Sequence, residues 1–429
     1  MPAPLRLHPP TAAVDATVRV PGSKSITNRA LVAAALAAGR STLTGALVAE
    51  DTRAMRAVLA CVGVKIAAEG DGSKLAVDGC AGSPHAAAGR LDARSAGTVA
   101  RFGPPLLALG EGEYVLDGSA QMRARPLRAG VEALRALGVA VTHEGLDGYL
   151  PIRVVGASGR VRGAVTLRAD VSSQYTSGLL LSAPCFADGL VIDVVGDVVS
   201  RPYLEMTTAV MAAFGARVSR DGARWTVAPG GYRAAAYAVE PDASAASYFF
   251  AAAAITGGRV VVPGLGGGSL QGDLGFVRVL ERMGCAVDVR AEETEVRGPR
   301  ELTGVEVDLR DLSDTAQTLA VLAPFATTPT RITGIGFIRH KESDRVGAVA
   351  TELRRAGVEV TEEPDGLLIQ PGTPHAARVA TYDDHRMAMS FALLALRTEG
   401  IEIEDPGCVA KTYPGYFADL EAATGITSG

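Results

Sequence analysis

The residues able to do chemistry collect in a few short stretches, and most are cationic or carry hydroxyls. Pro21-Gly22-Ser23-Lys24-Ser25-Ile26-Thr27-Asn28-Arg29 places Lys24 just before an expected helix and Arg29 about one turn into it, with serine hydroxyls between. Exposed N–H groups and the positive dipole end make such a helix start suited to phosphate or carboxylate. The GxxxxGK[ST] order of a P-loop is absent. Arg101 follows Gly97-Thr98 at a second helix opening, and Arg125 precedes Pro126 where another helix is expected to begin. Taken singly, each arginine reads as a solvated or ion-pairing residue; gathered at helix starts, they read as anion capture. Further on, Arg339-His340-Lys341-Glu342-Ser343-Asp344-Arg345 packs a lysine, a glutamate and an arginine together. Read as a helix start, it sets Lys341 and Arg345 on one face at i,i+4. Thr381-Tyr382-Asp383-Asp384-His385-Arg386-Met387-Ala388-Met389 carries its polar tetrad directly before an apolar helix, where burial can shift the pKa values of acid and base alike.

Lysine is scarce. Only Lys24, Lys65, Lys74, Lys341 and Lys411 occur among 42 basic residues, which leaves 37 arginines. An ammonium can transfer a proton where a guanidinium cannot, so the retained lysines mark candidate chemistry. Lys24 and Lys341 lie in the stretches above, and Lys411 lies in Ala410-Lys411-Thr412-Tyr413-Pro414.

The elements that must position these groups form a repeat. A glycine that ends an amphipathic helix before a β-branched strand recurs at Gly63, Gly138, Gly215, Gly284, Gly357 and Gly425. Ala/Leu-rich segments open at Ser25, Ser95, Ser172, Asp242, Asp314 and Asp384 with the same beat of about 70 residues. Each unit reads as helix, strand, helix, strand, strand. The first helix is apolar nearly all round, as in Ser247 to Ile255 or Met387 to Leu396, and wants burial on every side. The second is amphipathic, as in Phe276 to Met283 or Val346 to Arg355. Six units predict an α/β protein of two domains with three repeats each, helices inside and sheets outside, dividing around Tyr237-Ala238-Val239-Glu240-Pro241. Gly264-Leu265-Gly266-Gly267-Gly268-Ser269 reads as a loop. The first three units open with neutral donors (Lys24-Ser25, Ser95-Ala96-Gly97-Thr98, Ser172-Ser173-Gln174), leaving vacant anion sites. In the last three, Asp242, Asp314 and Asp384 are placed to cap their helices.

Composition excludes several classes. With 48% hydrophobic and 21% charged residues over 429 positions, disorder is excluded. No apolar run approaches a membrane span, and Met1-Pro2-Ala3-Pro4-Leu5-Arg6 leads into no hydrophobic signal segment, so a cytoplasmic protein is expected. Cys61, Cys80, Cys185, Cys285 and Cys408 are scattered, which indicates neither a disulfide framework nor a metal site. A net charge of −5 argues against a nucleic-acid partner.

From Pro21-Gly22-Ser23-Lys24-Ser25 through Ser95-Ala96-Gly97-Thr98, Arg125-Pro126, Ser172-Ser173-Gln174, Ser200-Arg201-Pro202-Tyr203, Asp242-Ala243-Ser244, Lys341-Glu342-Ser343-Asp344-Arg345 and Asp384-His385-Arg386-Met387-Ala388-Met389 to Lys411-Thr412-Tyr413-Pro414, the chain resembles the 5-enolpyruvylshikimate-3-phosphate synthase family. The resemblance implies two inverse α/β domains, each of three βαβαββ repeats, closing over substrates. The first spans 21–239 and mainly holds shikimate 3-phosphate. The second joins 1–20 to 240–429 and carries the catalytic carboxylates and most of the phosphoenolpyruvate site. The implied reaction is transfer of the enolpyruvyl group of phosphoenolpyruvate to the 5-hydroxyl of shikimate 3-phosphate, through a tetrahedral ketal and with loss of phosphate, by a monomer without a cofactor.

By the same resemblance, Ser25, Arg29, Ser172, Ser173, Gln174, Ser200 and Tyr203 hold shikimate 3-phosphate. Lys24, Gly97, Arg125, Arg345, Arg386 and Lys411 grip phosphoenolpyruvate, and Asp314 and Lys341 join the substrate contacts. Asp314 acts as base and Glu342 as acid, with Lys24 and Lys411 balancing charge at the departing phosphate. Glu342 then needs His385 or Lys341 as a proton-sharing neighbour. Ser95, Phe102 and Phe337 depart from the family pattern; Phe337 stands where an asparagine often contacts the shikimate phosphate, and Phe102 bears on glyphosate sensitivity. The sister UDP-N-acetylglucosamine enolpyruvyl transferases usually carry a reactive cysteine before the Arg-Pro pair. Here Gly118-Ser119-Ala120-Gln121-Met122-Arg123-Ala124 has none. A third alternative is a non-catalytic relative that binds a phosphorylated metabolite, which would need the cations but not Asp314 and Glu342.

Overall fold

Helical segments without a broad polar face can persist in water only if every side is covered. In the computed structural model, which describes residues 3–85, 88–168, 172–196 and 199–429, six such helices are covered in that way. They are Lys24–Leu36, Gly97–Leu107, Ser173–Ser182, Ala243–Thr256, Ala316–Leu322 and His385–Phe391. Burial is unbroken from Ile26 to Leu36 and from Ala243 to Ile255. Small residues let these helices approach closely. At Gly178 an added Cβ would come within 2.4 Å of the Arg101 carbonyl oxygen, so this crossing admits only glycine.

Around them lie the amphipathic helices Glu50–Cys61, Arg128–Ala136, Pro202–Ala213, Phe276–Arg282, Arg345–Arg355 and Tyr416–Thr424. The six marker glycines just beyond them all have positive φ, from 74° at Gly425 to 105° at Gly284. This is the left-handed helix stop that glycine enters without a Cβ penalty.

The chain divides into two compact units, Gly22–Glu240 and, discontinuously, Met1–Pro21 with Pro241–Gly429. Each holds three four-stranded sheets of one plan: a parallel pair, then two antiparallel strands. In the second repeat Ala88–Asp92 runs parallel to Glu113–Asp117, which pairs with Ile152–Val155, which pairs in turn with Val141–His143. The parallel crossover is filled by the inner helix and the next connection by the outer one, which is the βαβαββ repeat. The first sheet borrows its parallel strand, Ala236–Ala238, from the far end of its unit. In the discontinuous unit, Asp15–Thr17 supplies the parallel strand beside Arg259–Pro263. Leu5–His8 is inserted between Ile401–Ile403 and Thr427–Ser428. Among the described residues no helix is long and apolar enough to cross a membrane.

Candidate active site

In Gly22–Glu240 the opening turns of the three inner helices lie side by side. Asn28 Nδ2 donates to Thr98 Oγ1 at 2.7 Å, and Arg29 Nη2 donates to Ser177 Oγ at 3.3 Å. None of the three helices has an acidic residue in its first turn, so their N–H groups and dipoles leave a positive end. Ser172 caps its helix by accepting from Gln174 N at 3.2 Å, while Gln174 Oε1 is buried with no hydrogen-bond partner among the described residues. Lys24 Nζ stands 3.7 Å from the buried Asp51 carboxylate. Gly97 lies against two guanidinium groups: a Cβ there would come within 3.1 Å of Arg125 Nη2 and 3.3 Å of Arg101 Nη1. Ser200, also buried, has φ of +55°, an uncommon backbone for a residue with a side chain.

Arg29 is placed differently from a surface anion clamp. It is 1% exposed and makes four hydrogen bonds, to Thr207 Oγ1, the Ser25 and Tyr203 carbonyls and Ser177 Oγ. Its guanidinium lies over the rings of both Phe102 and Tyr203, 5.3 and 5.7 Å from their centroids. Burial lowers its pKa to about 10, against the opposing influence of Tyr203.

In the discontinuous unit, three carboxylates and three cations interlock. Arg345 donates from Nε to Asp384 Oδ2 at 2.8 Å, from Nη2 to Glu342 Oε2 at 2.8 Å and from Nη1 to Asp314 Oδ1 at 3.3 Å. Arg386 Nη2 reaches Asp314 Oδ2 at 2.6 Å, and Lys411 Nζ reaches Glu342 Oε1 at 3.0 Å. Burial works against the Arg345 charge, but Asp384, Glu342 and Asp314 outweigh it and hold the guanidinium more firmly protonated than usual. Tyr248, whose hydroxyl accepts from Arg386 at 3.5 Å, is pushed up to about 12 by burial. Fully buried Asp384 also accepts from Ser343 Oγ and Arg386 N, and His385 Nδ1 lies 3.6 Å from it. Among the described residues no group of three His, Cys, Asp or Glu side chains is placed to hold a metal ion.

Several sequence expectations are corrected. Lys341 does not share a helix face with Arg345, because the helix begins at Arg345 with Asp344 as its cap, and Lys341 ends the preceding 3-10 turn with Nζ 5.5 Å from the Phe337 ring. Asp242 and Asp384 cap their helices, but Asp314 does not. It sits in the 3-10 turn Ser313–Thr315, and its carboxylate faces Arg345 and Arg386. Beyond those expectations, Ser23 caps the first inner helix, and Ser95, ahead of the second, pairs with Ser119 Oγ at 2.8 Å. Sequence reasoning passed over Asp51, Phe102 as a partner of Arg29, and the whole surroundings of Asp384 beyond its own tetrad.

Residues 9–420 match the family model described as EPSP synthase (3-phosphoshikimate 1-carboxyvinyltransferase). The chain belongs to the EPSP synthase family. Relatives named 3-phosphoshikimate 1-carboxyvinyltransferase include one from Nostoc punctiforme, 47% identical over 94% of this chain and 95% of its own length. Another, from Bordetella petrii, is 44% identical over 96% and 94%. The EPSP synthase structure from Acinetobacter baumannii superposes with a TM-score of 0.83 at 26% identity, covering 100% of both chains. The enolpyruvyl transferase NikO from Streptomyces tendae shares the fold, with a TM-score of 0.77 at 19% identity over 100% of this chain and 99% of its own. The six-repeat architecture of the family is the one this chain adopts.

Proposed function

We propose that the chain is an EPSP synthase that transfers the enolpyruvyl group of phosphoenolpyruvate to the 5-hydroxyl of shikimate 3-phosphate and releases inorganic phosphate. The observation that carries this reading is the interlocked cluster of Asp314, Glu342, Arg345, Asp384, Arg386 and Lys411, which combines anion-binding groups with two carboxylates suited to proton transfer. A protein that only binds a phosphometabolite needs the cations alone.

In this reading the unit Gly22–Glu240 mainly serves shikimate 3-phosphate, through Ser25, Arg29, Ser172, Ser173, Gln174, Ser200 and Tyr203. The vacant Gln174 Oε1 and the unblocked helix starts supply the donors and acceptors. Arg29 has four of its five N–H groups engaged, so it contributes charge and one remaining donor. Lys24, Gly97 and Arg125 serve phosphoenolpyruvate with Arg345, Arg386 and Lys411; the planar arginine forks match carboxylate and phosphate oxygens, and the lysines add point charge. Lys341 remains a candidate contact from its turn beside Phe337.

The 5-hydroxyl oxygen attacks C2 of phosphoenolpyruvate while Asp314 takes the hydroxyl proton and Glu342 gives a proton to the C3 methylene, forming the tetrahedral ketal. In the second step Glu342 takes a proton back from C3, Asp314 returns its proton to the departing phosphate oxygen, the C2–O bond to phosphate breaks, and the enol double bond returns. Lys24 and Lys411 stabilise the departing phosphate. Glu342 has Arg345 on one oxygen and Lys411 on the other, so its acid role requires substrate anions to take these partners over. His385, buried beside Asp384, is the neighbouring imidazole for that proton traffic. The enzyme is proposed to work as a monomer in the cytoplasm with no nucleic-acid partner, consistent with its net charge of −5.

Phosphate release from phosphoenolpyruvate plus shikimate 3-phosphate tests the proposal, with UDP-N-acetylglucosamine as the competing acceptor. Release with the first acceptor alone is the expected result. Release only with the second, or with neither, overturns it in favour of the sister activity or of a binding protein.

A further inference from the structure

Just before the Asp384-His385-Arg386 tetrad the backbone does something costly. Tyr382 and Asp383 both have left-handed φ, +56° and +53°, the only two consecutive non-glycine residues among those described to do so. Left-handed residues with side chains persist where their surroundings hold them, and they gather at functional sites.

What holds this pair is the outer helix Arg345–Arg355. Its first residue, Arg345, bonds Asp384, immediately after the pair. Glu352, seven positions on and therefore on the same face about two turns away, bonds the residues before and within the pair. Its side chain is 0% exposed. Oε2 accepts from Ala380 N at 3.1 Å and from Arg355 Nη1 at 2.7 Å, and Oε1 accepts from the Tyr382 hydroxyl at 2.7 Å. The strained turn is thus gripped at both ends by one rigid face. Burial and the adjacent Glu352 carboxylate push the Tyr382 phenol up to about 12, so the hydroxyl stays a donor at neutral pH.

We propose that Glu352 and Tyr382 are positioning residues, which lock the left-handed turn and so set Asp384 and Arg386 in register with Arg345 for phosphoenolpyruvate. The inference rests on the functional reading above, in which Arg345 and Arg386 grip that substrate. Neither residue touches the reacting atoms. They act through the turn, and the turn acts through Asp384, which anchors Arg345 and caps the helix that carries Arg386.

The test is steady-state phosphate release by the full chain, varying each substrate in turn, for the wild type, Tyr382→Phe and Glu352→Gln, with Tm recorded for each. Tyr382→Phe removes one hydroxyl at a partly exposed ring, so the protein is expected to fold. Its KM for phosphoenolpyruvate should rise about tenfold, the loss of one hydrogen bond to a charged group, while KM for shikimate 3-phosphate stays within about twofold, a spread well under that tenfold. Glu352→Gln should show the same selective rise, larger in size. A Tm decrease with both KM values unchanged, or an equal rise in both, would mean that the residues only support the fold and would overturn the inference. Wild-type protein that releases no phosphate at all would instead overturn the functional reading on which the inference rests.

Discussion

Arg345 and Arg386 share Asp314 between them, and this sharing decides what a substitution there does. Asparagine keeps an acceptor oxygen for one of the two guanidinium groups, sets its amide nitrogen against the other, and cannot take a proton. Asp314→Asn is therefore expected to bind shikimate 3-phosphate with unchanged affinity in calorimetry while turnover falls by roughly 10²-fold or more. Parallel loss of binding would remove Asp314 from the role of base. Gly97 poses a different problem. The methyl of Gly97→Ala meets only the ends of the flexible Arg125 and Arg101 side chains, at 3.1 to 3.3 Å. Folding should tolerate it, and the displaced Arg125 should weaken phosphoenolpyruvate, seen as a higher KM for that substrate with the melting temperature preserved.

The second-repeat sheet shows how individual elements are secured. Asp117, at the end of its strand, accepts from Arg123 Nε and Nη2, from Gly118 N and from Arg90 Nη2. The Arg123 bonds, working against burial and helped by Gly118 and Arg90, lower its pKa to about 2. Because the folded value lies below the unfolded one, this stabilisation is present above about pH 4 and is lost as pH falls through about 2. Denaturation midpoints measured down that range should drop less steeply in Asp117→Asn than in the wild type. At this scale the sequence is most readable. Glycine stops and the buried, mostly apolar inner helices are local signals, and all six of each lie where the spacing predicts. Groups that depend on distant partners are not legible in the same way. Glu352 reads as a solvent-facing charge on an amphipathic helix because Tyr382, which buries it, lies 30 residues on. Asp314 reads as a cap because nothing nearby in sequence reveals that Arg345 and Arg386 converge on it. The family resemblance pointed to its importance, yet its geometry came only from the folded chain.

For the molecule as a whole, the threading of the chain matters most. Leu7, 0% exposed, sits in a strand that joins two others from the far end of the sequence. Leu7→Asp would bury a charge without a partner, which costs several kcal/mol. Hydrogen exchange should then rise throughout Pro241–Gly429 while amides of Gly22–Glu240 remain protected, because among the described residues that unit takes no strand from residues 1–21. Uniform deprotection of both units would show that they unfold together. The same threading sets an order of events at the ribosome. Leu5–His8 is made long before its partner Ile401–Ile403, which is translated about 400 residues later, a wait of roughly 20–80 s at ~5–20 residues per second. Gly22–Glu240 has its full complement of strands well before that interval ends, so the nascent protein carries one finished unit and an unpaired strand ahead of it. A strand edge left without its partners for so long is a natural client for a holdase, and slow codons late in the message would lengthen its exposure.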